Sequence, residues 1–124
     1  MMVITDIQMK ALEAAAEENL AYRIGVFLDK NCDFSNPHDG SPVPLPDERR
    51  QLIRKFIRRA RVYGISSERG FVQFVILGLG YSRCFDEVPK VQEMLGDPRH
   101  APEENLQRVL NAVVVAEARS DRVF

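Results

Sequence analysis

The residues best equipped for chemistry in this chain are arginines. Arg50, Arg54, Arg58 and Arg61 recur at intervals of four, four and three residues, which places them along one face of a helix. Lys55 and Arg59 flank that row, and the segment 47–70 holds eight Arg or Lys residues against three acids. A guanidinium offers a rigid fork of N–H donors that matches a carboxylate, so such a face suits an acidic partner. It also suits solvent, with some arginines paired to Glu13, Glu17 or Glu18 on a neighbouring helix. Exposed pairs of that kind contribute little to stability, so stability alone does not demand so many arginines. A docking surface at Arg50, Arg54, Arg58 and Arg61 is the functional expectation.

The remaining polar residues form no catalytic or metal-binding pattern. His38 with Asp39, Cys32 with Asp33, and His100 are scattered, and neither H-x-x-x-H nor C-x-x-C occurs. There is no G-x-S-x-G elbow, and neither cysteine stands in a nucleophile context. Asp86 and Glu87 are adjacent, so on a helix they point apart rather than forming an acid/base pair; they read as a helix start. Gly78 and Gly80 lack the rest of a dinucleotide-binding fingerprint. The expectation is a non-enzymatic protein with no cofactor and no metal.

What must position the arginines is one domain spanning 1–124, by size enough to bury a core without covalent staples. The chain is 45% hydrophobic and 28% charged, with a formal net charge of -1. A near-neutral total argues against a general nucleic-acid binder. The segments on either side of 47–70 are net acidic, so the positive charge is local. Two distant cysteines read as free thiols, and the first residues lack a secretory leader pattern, which together point to the cytoplasm. The longest apolar run, Phe74 to Leu79, is too short and too interrupted for a membrane span.

Periodicity and punctuation predict an all-α, single-domain bundle of about four main helices plus one short one. The first opens at Thr5, where the T-x-x-Q spacing to Gln8 fits a capping box, and runs toward Leu28. Its apolar stripe is Met9, Leu12, Ala16, Leu20, Ile24 and Phe27, opposite Lys10, Glu13, Glu17 and Glu18. The stretch 31–46 holds four of the seven prolines and reads as a connecting loop, pinned by Phe34, Val43 and Leu45. Whether it takes part in binding is left open.

Helix two starts at Pro46, with Asp47 and Glu48 in its first turn and Leu52, Ile53, Phe56, Ile57 and Ala60 as its apolar side. Gly64 suits a left-handed C-cap, with Ile65 placed for the Schellman contact. Ser66 is then the expected N-cap of helix three, 67–82. That helix is apolar on nearly every face, so it belongs at the centre with the others around it. It offers more apolar surface than four short neighbours cover, which leaves self-association open. A short helix begins around Asp86–Pro89 and runs to Leu95, and Pro102 opens the last, with Glu103 and Glu104 in its first turn.

The turn from Ala60 through Gly64, Ile65 and Ser66 is close to a helix-turn-helix signature. The helix that follows it carries one polar residue in FVQFVILGLG, and one helix cannot fill both a major groove and a core. The alternative to protein binding is therefore a nucleic-acid-binding regulator that uses the basic helix 47–63 itself.

A resemblance sharpens the first reading. Arg59-Ala60, Tyr63-Gly64-Ile65, Glu68, Phe74, Gly80, Phe85-Asp86, Pro89, Met94-Leu95 and Asp97-Pro98 occur in an order and spacing similar to small α-helical accessory proteins encoded beside bacterial type VI secretion effectors. The stretch 57–95 that carries most of them is roughly a third of the chain. The sequence departs from that pattern at Gly70, where a larger or acidic residue is expected, and just after Pro89, where an aromatic is. The resemblance implies a protein that binds a secreted toxin effector, as an adaptor or chaperone or as an immunity protein. It brings no catalytic residues with it.

Overall fold

A computed structural model describes the backbone of residues 6–32, 40, 42 and 44–119, and side chains from residue 16 to 115 within those ranges. The helices are α1 (Asp6–Asn31), α2 (Pro46–Val62), α3 (Glu68–Ile76), α4 (Pro89–Leu95) and α5 (Pro102–Arg119). A π-helical turn, Leu77–Tyr81, continues α3, and a 3-10 turn, Phe85–Glu87, leads into α4. No strand occurs among the described residues. The all-α bundle expected from the sequence is what forms. The predicted capping box at Thr5, the sides of Met9 and Leu12, and the anchors Phe34 and Val43 lie outside the described residues.

Local chemistry explains most of the helix ends. Pro46 sits at the start of α2, and the Glu48 carboxylate reaches back to the Leu45 N–H at 3.4 Å. At the far end Gly64 adopts φ +89°, and two bonds close a Schellman motif: Ile65 N–H to Ala60 O at 3.1 Å and Gly64 N–H to Arg61 O at 3.0 Å. Ile65 is buried beneath it. The N-cap of α3 is Ser67, one residue later than expected. Its Oγ accepts the Gly70 N–H at 3.0 Å, while Ser66 is taken up by another contact described below.

One core runs through all five helices, from Leu20, Ile24 and Leu28 of α1 to Leu106, Val109 and Val113 of α5. Phe74 of α3 is its centre, with ring centroids 4.8 Å from Phe85, 6.2 Å from Tyr63 and 6.4 Å from Phe56. The expected central helix 67–82 is thus present but changes character at Leu77. There the backbone widens, and Ser82 N–H bonds to Leu77 O at 3.0 Å. Gly78 is needed at this place because the Phe56 ring lies on it. A β-carbon there would come within 2.4 Å of Cζ. The centre is not closed on every side. Val72, Gln73 and Ile76 remain half-exposed beside Phe27, 48% exposed, in a groove between α1 and α3.

The inward face of α1 differs from the predicted stripe. Leu20, Ala21, Ile24 and Leu28 point in, whereas Ala16 and Phe27 face out. The stripe drifts by one residue because α1 lies against α2 along the seam from Glu17 to Asp29, where Ile53 faces Gly25. With that rotation Glu17, expected on the solvated face, becomes 8% exposed.

Candidate functional site

The candidate site is the seam between α1 and α2. These helices run antiparallel: Arg49 bonds to Asp29 at one end and Arg58 to Glu17 at the other. Rotation of α1 turns the Glu17 carboxylate into the seam, where three arginines converge on it. Arg58 Nε donates to Oε1 at 2.9 Å, Arg61 Nη1 to Oε2 at 3.3 Å, and Arg54 Nε lies 3.6 Å from Oε1. Three of the four arginines proposed from sequence are therefore brought together, and the fourth, Arg50, stands exposed one turn away.

One carboxylate cannot saturate three guanidiniums, each of which carries several N–H donors. Arg58 keeps 61% of its side chain exposed and Arg61 48%, so their outer donors face solvent. Arg54 is more enclosed, and its Nε is buried without a hydrogen-bond partner. The Arg61 guanidinium also sits 5.5 Å from the centre of the Phe71 ring, which fixes it over the core. The result is a surface where positive charge is held in place by packing and only partly answered.

Arg50 joins this row to two adjoining hollows. One, about 240 Å³, lies between α1 and the start of α2, floored by Ala21, Gly25, Val26 and Ile53 and walled by Pro44 and Pro46. The other is bordered by Glu18 and Asn19. Tyr22, 60% exposed, and Arg50 border both.

Arg59, in the same basic segment, has a different task. It donates to both oxygens of Asp86, from Nε at 2.9 Å and also from Nη2, and to the Arg83 carbonyl at 3.1 Å. Asp86 is 4% exposed, and its own carbonyl accepts the Tyr63 hydroxyl at 3.1 Å. The aspartate read as a helix start is therefore a buried structural anion. Arg83 in turn caps the π-helical turn, donating from Nη1 to Gly78 O at 2.9 Å and Leu79 O at 2.8 Å.

Two other carboxylates have depressed pKa values for structural reasons. Glu103 accepts the N–H groups of Ser66 and Ser67 at 3.0 and 3.1 Å, and the Ser66 bond above all holds its carboxyl below the usual range. Asp97 is held far below its ordinary value, first by the Arg99 side chain and then by the Arg99 backbone N–H. Both fasten connections rather than forming a reactive site. Cys84 is exposed and Cys32 partly covered, both free. Among the described residues no group of His, Cys, Asp and Glu is placed to hold a metal ion. No described helix is long and apolar enough to cross a membrane.

The sequence offered Glu17, beside Glu13 and Glu18, as a surface partner of the arginines and Asp86 as a helix start, but it did not reveal that Glu17 and Asp86 turn inward. No family model, curated protein or solved structure matches this chain.

Proposed function

We propose that this chain is a non-enzymatic protein-binding module whose contact surface is the arginine row along the α1–α2 seam. The observation that carries the reading is the convergence of Arg54, Arg58 and Arg61 on one enclosed carboxylate, with Arg50 exposed beside them. Arginines pre-positioned by packing lose little freedom on meeting an acidic surface, and arginine is enriched at protein interfaces. The resemblance to accessory proteins of type VI secretion effectors gives the partner's class. It is a secreted bacterial toxin effector, bound in the cytoplasm for delivery as by an adaptor or chaperone, or for neutralisation as by an immunity protein.

Reversing the charge of all three seam arginines would crowd carboxylates around Glu17 and endanger the fold. The better variant is Arg50→Gln with Arg58→Gln, two of the three exposed members of the row, because Arg54 and Arg61 still answer Glu17. The tagged chain is used to capture partners from lysate of its source cells, alongside this variant, with thermal unfolding as the folding control. A stoichiometric acidic protein, held by the native chain and lost with the variant at unchanged melting temperature, is the expected result. Assaying that protein's toxicity with and without this chain separates immunity from delivery. Capture indifferent to the two substitutions overturns the assignment of the surface. Steeply salt-dependent capture of DNA or RNA instead would favour a regulator acting through helix 47–63.

A further inference from the structure

We infer that the α1–α2 seam takes an extended segment of the partner protein, with an apolar side chain in the hollow beside Tyr22 and acidic residues along Arg50, Arg54, Arg58 and Arg61. This rests on the protein-binding reading and specifies what the bound segment looks like. The hollow of about 240 Å³ is smaller than ordinary small-molecule sites, which run from roughly 300 Å³ upward. Ala21, Val26 and Ile53 give it apolar surface, and Gly25 adds no side chain. Pro44 and Pro46 wall it without N–H donors, and the Arg49–Asp29 pair and Arg50 line the rest. That is a receptacle for one anchoring side chain.

The charged row starts at the rim of the hollow, because Arg50 borders it. Along the helix axis the arginines follow at about 6, 6 and 4.5 Å, from a rise of 1.5 Å per residue. An extended chain repeats the side chains of one face at about 6.6 Å, close enough to pair alternate carboxylates with successive arginines. Glu17 already occupies the inner side of the row, so incoming carboxylates meet the outward donors of Arg58 and Arg61, which remain exposed. A nucleic acid could use the arginine row but offers no aliphatic side chain for the hollow.

The test is selection of short random peptides displayed on phage against the folded full-length chain. Three variants serve as counter-targets: Gly25→Val, Tyr22→Ala and the Arg50→Gln, Arg58→Gln pair. A β-carbon at position 25 meets Ile53 Cδ1 at 3.6 Å, an ordinary contact, so Gly25→Val builds into the hollow. Tyr22 is exposed, so its truncation spares the core and guards against a Gly25 variant that misfolds. The expected peptides carry one large apolar residue followed or preceded by acids at alternate positions. Binding of the corresponding synthetic peptides falls by roughly tenfold or more on each variant, as for loss of an anchor contact. Purely acidic peptides, weakened by the arginine variant but bound equally by the Gly25 and Tyr22 variants, would overturn the anchor and leave the arginine surface standing. Peptides indifferent to the arginine variant, or no enrichment at all, would overturn both.

Discussion

Arg59 grips both carboxylate oxygens of Asp86 across 27 residues of sequence, with the aspartate 4% exposed. The pair ties α2 to the 3-10 turn ahead of α4, and the Tyr63 hydroxyl completes the attachment at the Asp86 carbonyl. Breaking one side of such a pair leaves a buried charge unanswered, which costs about 3–5 kcal/mol. Arg59→Leu is therefore expected to lower the urea midpoint sharply. The double substitution Arg59→Leu with Asp86→Leu is expected to recover part of that loss. Equal loss in the single and double variants would show that the ion pair is not the cause.

Gly78 and Phe56 form a second tertiary lock. With no β-carbon at position 78, the Phe56 ring packs directly on the π-helical turn. Gly78→Ala is expected to destabilise by about 1–3 kcal/mol, the usual range for overpacking. Phe56→Leu made in the Gly78→Ala background is expected to cost less than the same change in the native chain. Chemical denaturation of the four proteins gives that coupling directly, and strict additivity would rule the contact out as its source.

Acid sensitivity should trace partly to Glu103. Hydrogen bonds from Ser66 and Ser67 depress its pKa in the folded state. A depressed carboxyl contributes stability that is fully present above its unfolded value, about 4.3, and is lost as pH falls toward the folded value. Glu103→Gln is expected to be less stable than the native chain at pH 7, with the gap narrowing below about pH 4. Urea titrations at several pH values measure this. A gap independent of pH would mean that the carboxylate charge is irrelevant at the turn.

Helix boundaries were legible because they are local chemistry. Pro46, Pro89 and Pro102 open α2, α4 and α5, and Gly64 with Ile65 closes α2 through bonds spanning a few residues. The all-α class and the centrality of the stretch around Phe74 followed from helical periodicity and from an apolar segment with nowhere else to go. Which side of each helix faces inward was decided only in three dimensions. In α1 the spacing permits Phe27 or Leu28 to close the stripe, and packing against α2 selects Leu28. That small rotation exposes Phe27 and draws Glu17 among three arginines. The same holds for Asp86 and for Ser67. Each is fixed by a partner far away in the chain, Arg59 in one case and Glu103 competing for the neighbouring turn in the other. Charge content announced that the arginines had work to do. Their division between holding the fold and facing outward depends on which carboxylates the packed helices bring within reach, and periodicity carries no information about that.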